Sequence, residues 1–122
     1  MIRTKGMYHL HLVVRDVRRS LDFYTQVFGV EVAFWAGDDM VFVTTPGSND
    51  LLTLNQDPDL ADRAGDNGGL DHFGFRLADP ADLDAAVDAV VAAGGWLDRR
   101  GEHGPGEAFA YCRDPDGYLF EL

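Results

Sequence analysis

The sequence predicts an α+β fold of two βαβββ modules that pair into an eight-stranded, cup-shaped sheet with helices outside. Three observations lead there. The phrase running from His9 to Asp16 returns 63 residues later as His72 to Asp79. Each copy is a histidine, a short apolar run and a closing aspartate, and self-similarity at fixed spacing marks a duplicated structural unit. Each copy then leads into an apolar stripe of helical period, and each stripe is followed by three short runs separated by turn residues.

The elements follow in order. Over residues 7–15, His9, His11 and Val13 share one face of a strand, and Leu10, Leu12 and Val14 share the other. Asp16 is suited to cap a helix whose stripe is Val17, Leu21, Tyr24 and Phe28, closed by Gly29. Strands are expected at roughly 31–36, 40–45 and 50–55, with turns at Gly37-Asp38-Asp39 and Pro46-Gly47-Ser48-Asn49. The polar stretch Gln56 to Gly69 reads as a linker. In the second half, His72, Gly74 and Arg76 face one way, and Phe73, Phe75 and Leu77 face the other. Asp79 with Pro80 starts a helix carrying Leu83, Val87, Val90 and Val91, which Gly94-Gly95 ends. Strands follow at roughly 96–100, 107–112 and 118–122, the last two joined by the turn Asp114-Pro115-Asp116-Gly117. The chain is thus one domain, with module one at about 1–56, a linker at about 57–69 and module two at about 70–122.

Composition narrows the function classes. The apolar fraction is 46%, that of an ordinary globule, and the net charge is −11. Such acidity argues against a nucleic-acid partner, which needs a basic patch, and against docking on anionic lipid. No run nears the roughly 18 apolar residues of a membrane span. No secretory segment is expected either, because His9 and His11 interrupt the first apolar stretch. Cys112 is the single cysteine, so an internal disulfide and a thiolate cluster are both excluded, and a cytoplasmic location is compatible. A small molecule remains as the expected partner.

Apolar outer faces pack under the helices, and the inner faces, carrying His9, His11, His72 and Arg76, enclose a partly polar cavity. His9 and His72 hold equivalent positions in the repeat. Glu121 faces inward from the last strand if Tyr118, Phe120 and Leu122 face outward. A buried carboxylate needs a partner. Two imidazoles and one carboxylate form a site for a divalent first-row metal with open positions. His11 suits a supporting or cavity role. Arg76 suits either an anionic substrate group or a neighbouring acid.

Several segments together make the chain resemble the vicinal-oxygen-chelate superfamily of glyoxalases, bleomycin- and fosfomycin-resistance proteins and extradiol dioxygenases. They are His9 with Asp16-Val-Arg-Arg-Ser-Leu-Asp-Phe-Tyr24, Phe28-Gly29-Val30, Asp71-His72-Phe73-Gly74-Phe75 and Asp114-Pro-Asp-Gly-Tyr-Leu-Phe-Glu121. The resemblance implies that His9, His72 and Glu121 are the ligands of one divalent transition metal, Fe, Mn, Zn or Ni. It also implies a homodimer, with each cup built within one chain or across two. Glyoxalase I adds a carboxylate from its fourth strand, where this chain has Leu52, Thr53 and Leu54. His103 and Tyr111 fall where extradiol dioxygenases keep residues that orient a catecholate. Asn49 stands where those enzymes keep an acid–base histidine. The resulting expectation is a metal-dependent enzyme acting on a small substrate with vicinal oxygens, leaning to extradiol-type dioxygenation. The alternatives are a glyoxalase-type lyase or isomerase, and a metal-free drug-binding protein.

Overall fold

In a computed structural model of the protein, residues 1–122 are described throughout. Module one runs β1 (Leu10–Val13), α1 (Val17–Phe28), β2 (Glu31–Trp35), β3 (Met40–Thr44) and β4 (Leu52–Asn55). Module two runs β5 (Phe73–Gly74), α2 (Leu83–Ala92), β6 (Trp96–Glu102), β7 (Ala108–Arg113) and β8 (Leu119–Glu121). The eight strands form two mixed four-stranded sheets, ordered β1-β4-β3-β2 and β5-β8-β7-β6. Equivalent strands occupy equivalent places, as duplication requires.

Local chemistry sets the helix ends. The Asp16 side chain accepts hydrogen bonds from the backbone of Arg18 and Arg19, both at 3.0 Å, which satisfies two otherwise orphaned donors. Gly29 ends α1 in the left-handed conformation at φ 63°, its N–H donating to the Thr25 carbonyl. Asp79 caps as expected, but Pro80 to Asp82 first make a 3-10 turn, and α2 proper begins at Leu83. The strands around the histidines are shorter than alternation suggests: β1 begins after His9, and β5 is only two residues long.

Both modules feed one apolar cluster. It takes Leu12 and Val14 from the β1 region, Val41 and Val43 from β3, Leu52 and Leu54 from β4, and Ala110, Cys112 and Phe120 from β7 and β8. The helices contribute Phe23, Tyr24, Val87 and Val90. The rings of Phe28 and Phe75 stack at 3.9 Å, joining α1 to the second sheet. One face of each sheet is therefore committed to the core, which leaves the opposite faces free to carry chemistry.

A polar clasp also joins the modules. The buried Asp116 carboxylate accepts from Arg19 at 3.0 Å, from Ser20 at 3.2 Å and from the backbone and guanidinium of Arg15. Tyr24 donates to the buried Asp114 at 2.7 Å, and Tyr118 donates to the Val13 carbonyl at 2.8 Å. A buried charge is tolerable only when paired and hydrogen-bonded, and Asp116 meets that condition entirely through module one. Its neighbour Gly65 has φ +83°, and a Cβ there would lie 2.1 Å from the Asp116 carbonyl. The segment between modules is thus pressed onto the β7–β8 turn. No helix is long and apolar enough to cross a membrane.

Candidate metal centre

The free face of the second sheet gathers four of the residues singled out by sequence. His72 precedes β5, Glu121 ends β8, Tyr111 lies in β7, and His103 follows β6. The register sets Gly74 beside Glu121, and Glu121 beside Tyr111. His72 Nε2 lies 3.1 Å from Glu121 Oε2, and His103 Nε2 lies 2.6 Å from Glu121 Oε1. Tyr111 is buried, with its ring edge-on to His72 at 4.8 Å. Phe109 stacks on His103 at 4.3 Å and holds that ring over the carboxylate. Glu121 is lowered from its ordinary carboxylate value, first by its bond to His103, with burial opposing and His72 adding to the lowering.

Asp71 is a residue whose role sequence reasoning missed. Its Oδ2 lies 2.6 Å from His72 Nδ1. His72 therefore has a carboxylate at each ring nitrogen, whereas a neutral imidazole has one proton to donate. The second contact requires a cation, either a further proton or a metal ion. Outer carboxylates that hold the far nitrogen of a metal-ligating histidine are a recurring arrangement. The 3.1 Å spacing between His72 Nε2 and Glu121 Oε2 also suits neighbouring ligands each roughly 2.1 Å from one ion. These two residues fit a divalent metal. The only sequence signal for Asp71 is its position directly before His72.

The third expected ligand is elsewhere. His9 is exposed, edge-on to Tyr8 at 5.0 Å and to Phe42 at 6.1 Å on the first sheet. No three His, Cys, Asp or Glu side chains of the chain converge in a metal-holding group. His9 and His72 do line one cleft of about 450 Å³ between the modules, together with Leu10, Leu52, Leu70 and Phe75. His11 lies beside Thr53 and Phe42 in register. Its pKa is lowered by burial and then by the charge of His9. Arg76 and Asn49 are exposed, and neither belongs to the His72–Glu121 cluster.

Register settles which fourth-strand residue points to the free face. Leu52 and Leu54 enter the core, while Thr53 aligns with His11 and Phe42. Thr53 is fully buried, and its hydroxyl has no hydrogen-bond partner. A neutral hydroxyl thus stands in module one at the place in its sheet that Glu121 holds in module two.

Comparison with known proteins agrees with this architecture. The chain is 33% identical over 114 residues to a catechol-2,3-dioxygenase of Bacillus subtilis, covering 91% of this chain. It is 32% identical to a probable lactoylglutathione lyase of Vibrio cholerae, over 93% of this chain and 86% of that protein. The chain spans only 38% of the length of the Bacillus protein, and between 35% and 43% of the plant lactoylglutathione lyases it also matches. In fold it superposes on the fosfomycin resistance protein FosX of Listeria monocytogenes, solved with Mn(II) and a dihydroxypropylphosphonic acid. That match has a TM-score of 0.78 at 21% identity, covering 98% of this chain and 90% of that one. The family model of the glyoxalase, bleomycin resistance protein and dioxygenase superfamily matches residues 6–122, so with its duplicated modules and its His72–Glu121 pair the chain belongs to that superfamily.

Proposed function

We propose that the protein is a divalent-metal-dependent enzyme acting on a small substrate that presents two neighbouring oxygens. His72 and Glu121 of one chain and His9 of a second copy would hold the metal. The observation that carries this reading is the His72 Nε2–Glu121 Oε2 approach at 3.1 Å, with Asp71 on the other ring nitrogen. The bound ion would supply Lewis-acid stabilisation of negative charge on the chelating oxygens. Around it, Tyr111 forms a wall against His72, and His103, with Nε2 2.6 Å from Glu121 Oε1, would serve as the proton-carrying group.

The lean is to extradiol-type dioxygenation, supported by His103 and Tyr111 beside the ligand pair and by the resemblance to the Bacillus dioxygenase. Iron or manganese would suit that chemistry. Asn49, exposed in the β3–β4 turn, cannot move a proton at neutral pH, so in this reading His103, 2.6 Å from Glu121, takes that role. The second reading, a glyoxalase-type lyase with zinc or nickel, draws on the Vibrio relative. Thr53, a hydroxyl rather than a carboxylate, speaks against it, because a hydroxyl is a poor proton-transfer base. A cytoplasmic setting suits the lone Cys112, whose thiol is buried and pushed up to about 11.

A homodimer is part of this reading, supported by His9 lying exposed on the first sheet, outside the His72–Glu121 pair. The test is metal content of purified protein, then of mixed variants. Wild type is expected to hold about one ion per chain, while His9→Ala and His72→Ala each lose it. Refolded as a mixture, the two variants can form heterodimers with one intact site, and metal returns in part. Metal binding by wild type with no recovery in the mixture would place each site within one chain. A wild type that takes up no metal would leave the drug-binding alternative standing.

A further inference from the structure

The free face of the second sheet carries one more charged group that the metal reading does not use. Strand register aligns Gly74, Glu121, Tyr111 and Arg99 in a row across β5, β8, β7 and β6. In a regular strand Leu97 and Arg99 would share a face, since side chains alternate with period two. Here a β-bulge falls between them: Leu97 pairs with the core residue Cys112, and Arg99 pairs with Tyr111. The bulge turns the Arg99 side chain onto the face of Glu121, a known use of bulges near sites. Arg100, next along, points the other way and pairs with Asp84 of α2.

Arg99 has no acid of its own. Its guanidinium lies 4.5 Å from the centre of the Tyr111 ring, which is itself edge-on to His72. Arg15 and Arg19 are committed to Asp116, and Arg113 takes Asp98, the bulge residue, at 2.9 Å. The chain has 21 acidic residues against 10 lysines and arginines. A guanidinium left without a carboxylate amid that excess, and held 4.5 Å over the ring that walls the site, is available to a ligand.

We propose that Arg99 binds an anionic arm of the substrate. On the metal-chelate reading, the substrate then carries vicinal oxygens at one end and a carboxylate or similar oxyanion at the other. The two ends would lie within about two strand spacings, roughly 10 Å. Arginine suits this because its planar fork can take two oxygens while its charge stays over the Tyr111 ring.

The test uses a matched pair of probes: the hydroxamate of succinic acid with its free carboxylate, and the same hydroxamate with that carboxylate replaced by a primary amide. Both chelate through two oxygens and differ in one charge. Calorimetry on the Mn(II)-loaded protein is expected to show the carboxylate form binding about five- to tenfold more tightly. Arg99→Met should abolish that preference and leave the amide's affinity unchanged. Arg99→Lys should keep part of it, and Arg76→Met, which removes another guanidinium without a salt bridge, should keep all of it. Equal binding of the two probes by wild type, or a preference that survives Arg99→Met or vanishes in Arg76→Met, overturns the proposal. Mn(II) uptake is measured separately by electron paramagnetic resonance. A chain that takes none defeats the metal reading alone. The pair is then titrated into metal-free protein with the Arg99 Nε–H resonance observed. A shift with the carboxylate form only supports the anion site, and no shift with either overturns it.

Discussion

Glu121 receives two imidazoles, and what each does depends on a neighbour one contact further out. Asp71 occupies Nδ1 of His72 and so directs Nε2 at Glu121, while Phe109 stacks beneath His103. Asp71→Asn should therefore weaken metal binding by about tenfold, the lower end expected for an outer carboxylate, since Asp71 is 87% exposed. Competition with a chromophoric chelator measures this, and an unchanged affinity would show that the Asp71 contact does not orient the ligand. The buried carboxylate of Asp114 bears on stability instead. Burial pushes Asp114 up to about 6, against the opposing effect of its hydrogen bonds from Tyr24 and from the backbone of Tyr118 and Asp116. The native state then holds that proton more tightly than the unfolded chain. Asp114's contribution is fullest below about pH 4 and is lost as pH rises through 6. Asp114→Asn should flatten the pH dependence of the urea midpoint between those values, by up to about 3 kcal/mol in unfolding free energy. A slope unchanged by the substitution would assign it to other groups.

Among the elements, the helices were the most legible. Asp16, Gly29 and Asp79-Pro80 each act where their side-chain and backbone chemistry requires. The strands were legible as alternating runs but not in their detail. The bulge in β6 is invisible in the sequence, because Leu97 and Arg99 look like neighbours on one face until Cys112 and Tyr111 are seen opposite them. Arg99 was missed for that reason. The segment between modules also does more than its polar composition suggests. It contains the 3-10 turn Pro58–Arg63, and its Ala64 carbonyl accepts from Arg15 at 2.8 Å. Gly65→Ala would strain a positive φ and drive a methyl into the Asp116 carbonyl. A loss of at least about 2 kcal/mol is expected in urea unfolding, with His72 and Glu121 themselves untouched. A near-neutral result would mean that the segment is not pinned to the turn.

For the whole molecule, the decisive arrangement is that both modules spend one face on a common core. Phe28 against Phe75, and Asp116 gripped by Arg15, Arg19 and Ser20, fix how the halves sit. His72, Glu121, His103 and Tyr111 then meet on one sheet, while His9 and His11 stay on the other. If a second copy completes the site, folding and association are linked, so the melting temperature should rise with protein concentration. It should rise further with Mn(II) in wild type but not in His72→Ala. A melting temperature independent of concentration, with a monomer in sedimentation, would argue against the dimer.

The sequence by itself determined the duplication, the two helices and the caps of the first, the alternation of the strands and the identity of the ligand-type residues. Those are local properties: a period, a capping side chain, a residue's donor and acceptor groups. Only the tertiary structure decided which of those residues meet. Register across β5, β8, β7 and β6 joins residues far apart in the chain, and one extra residue in a strand reverses the face of all that follow. That is why the two repeat histidines, equivalent in the sequence, differ in the fold: His72 has a carboxylate at each nitrogen, and His9 packs against Tyr8 and Phe42.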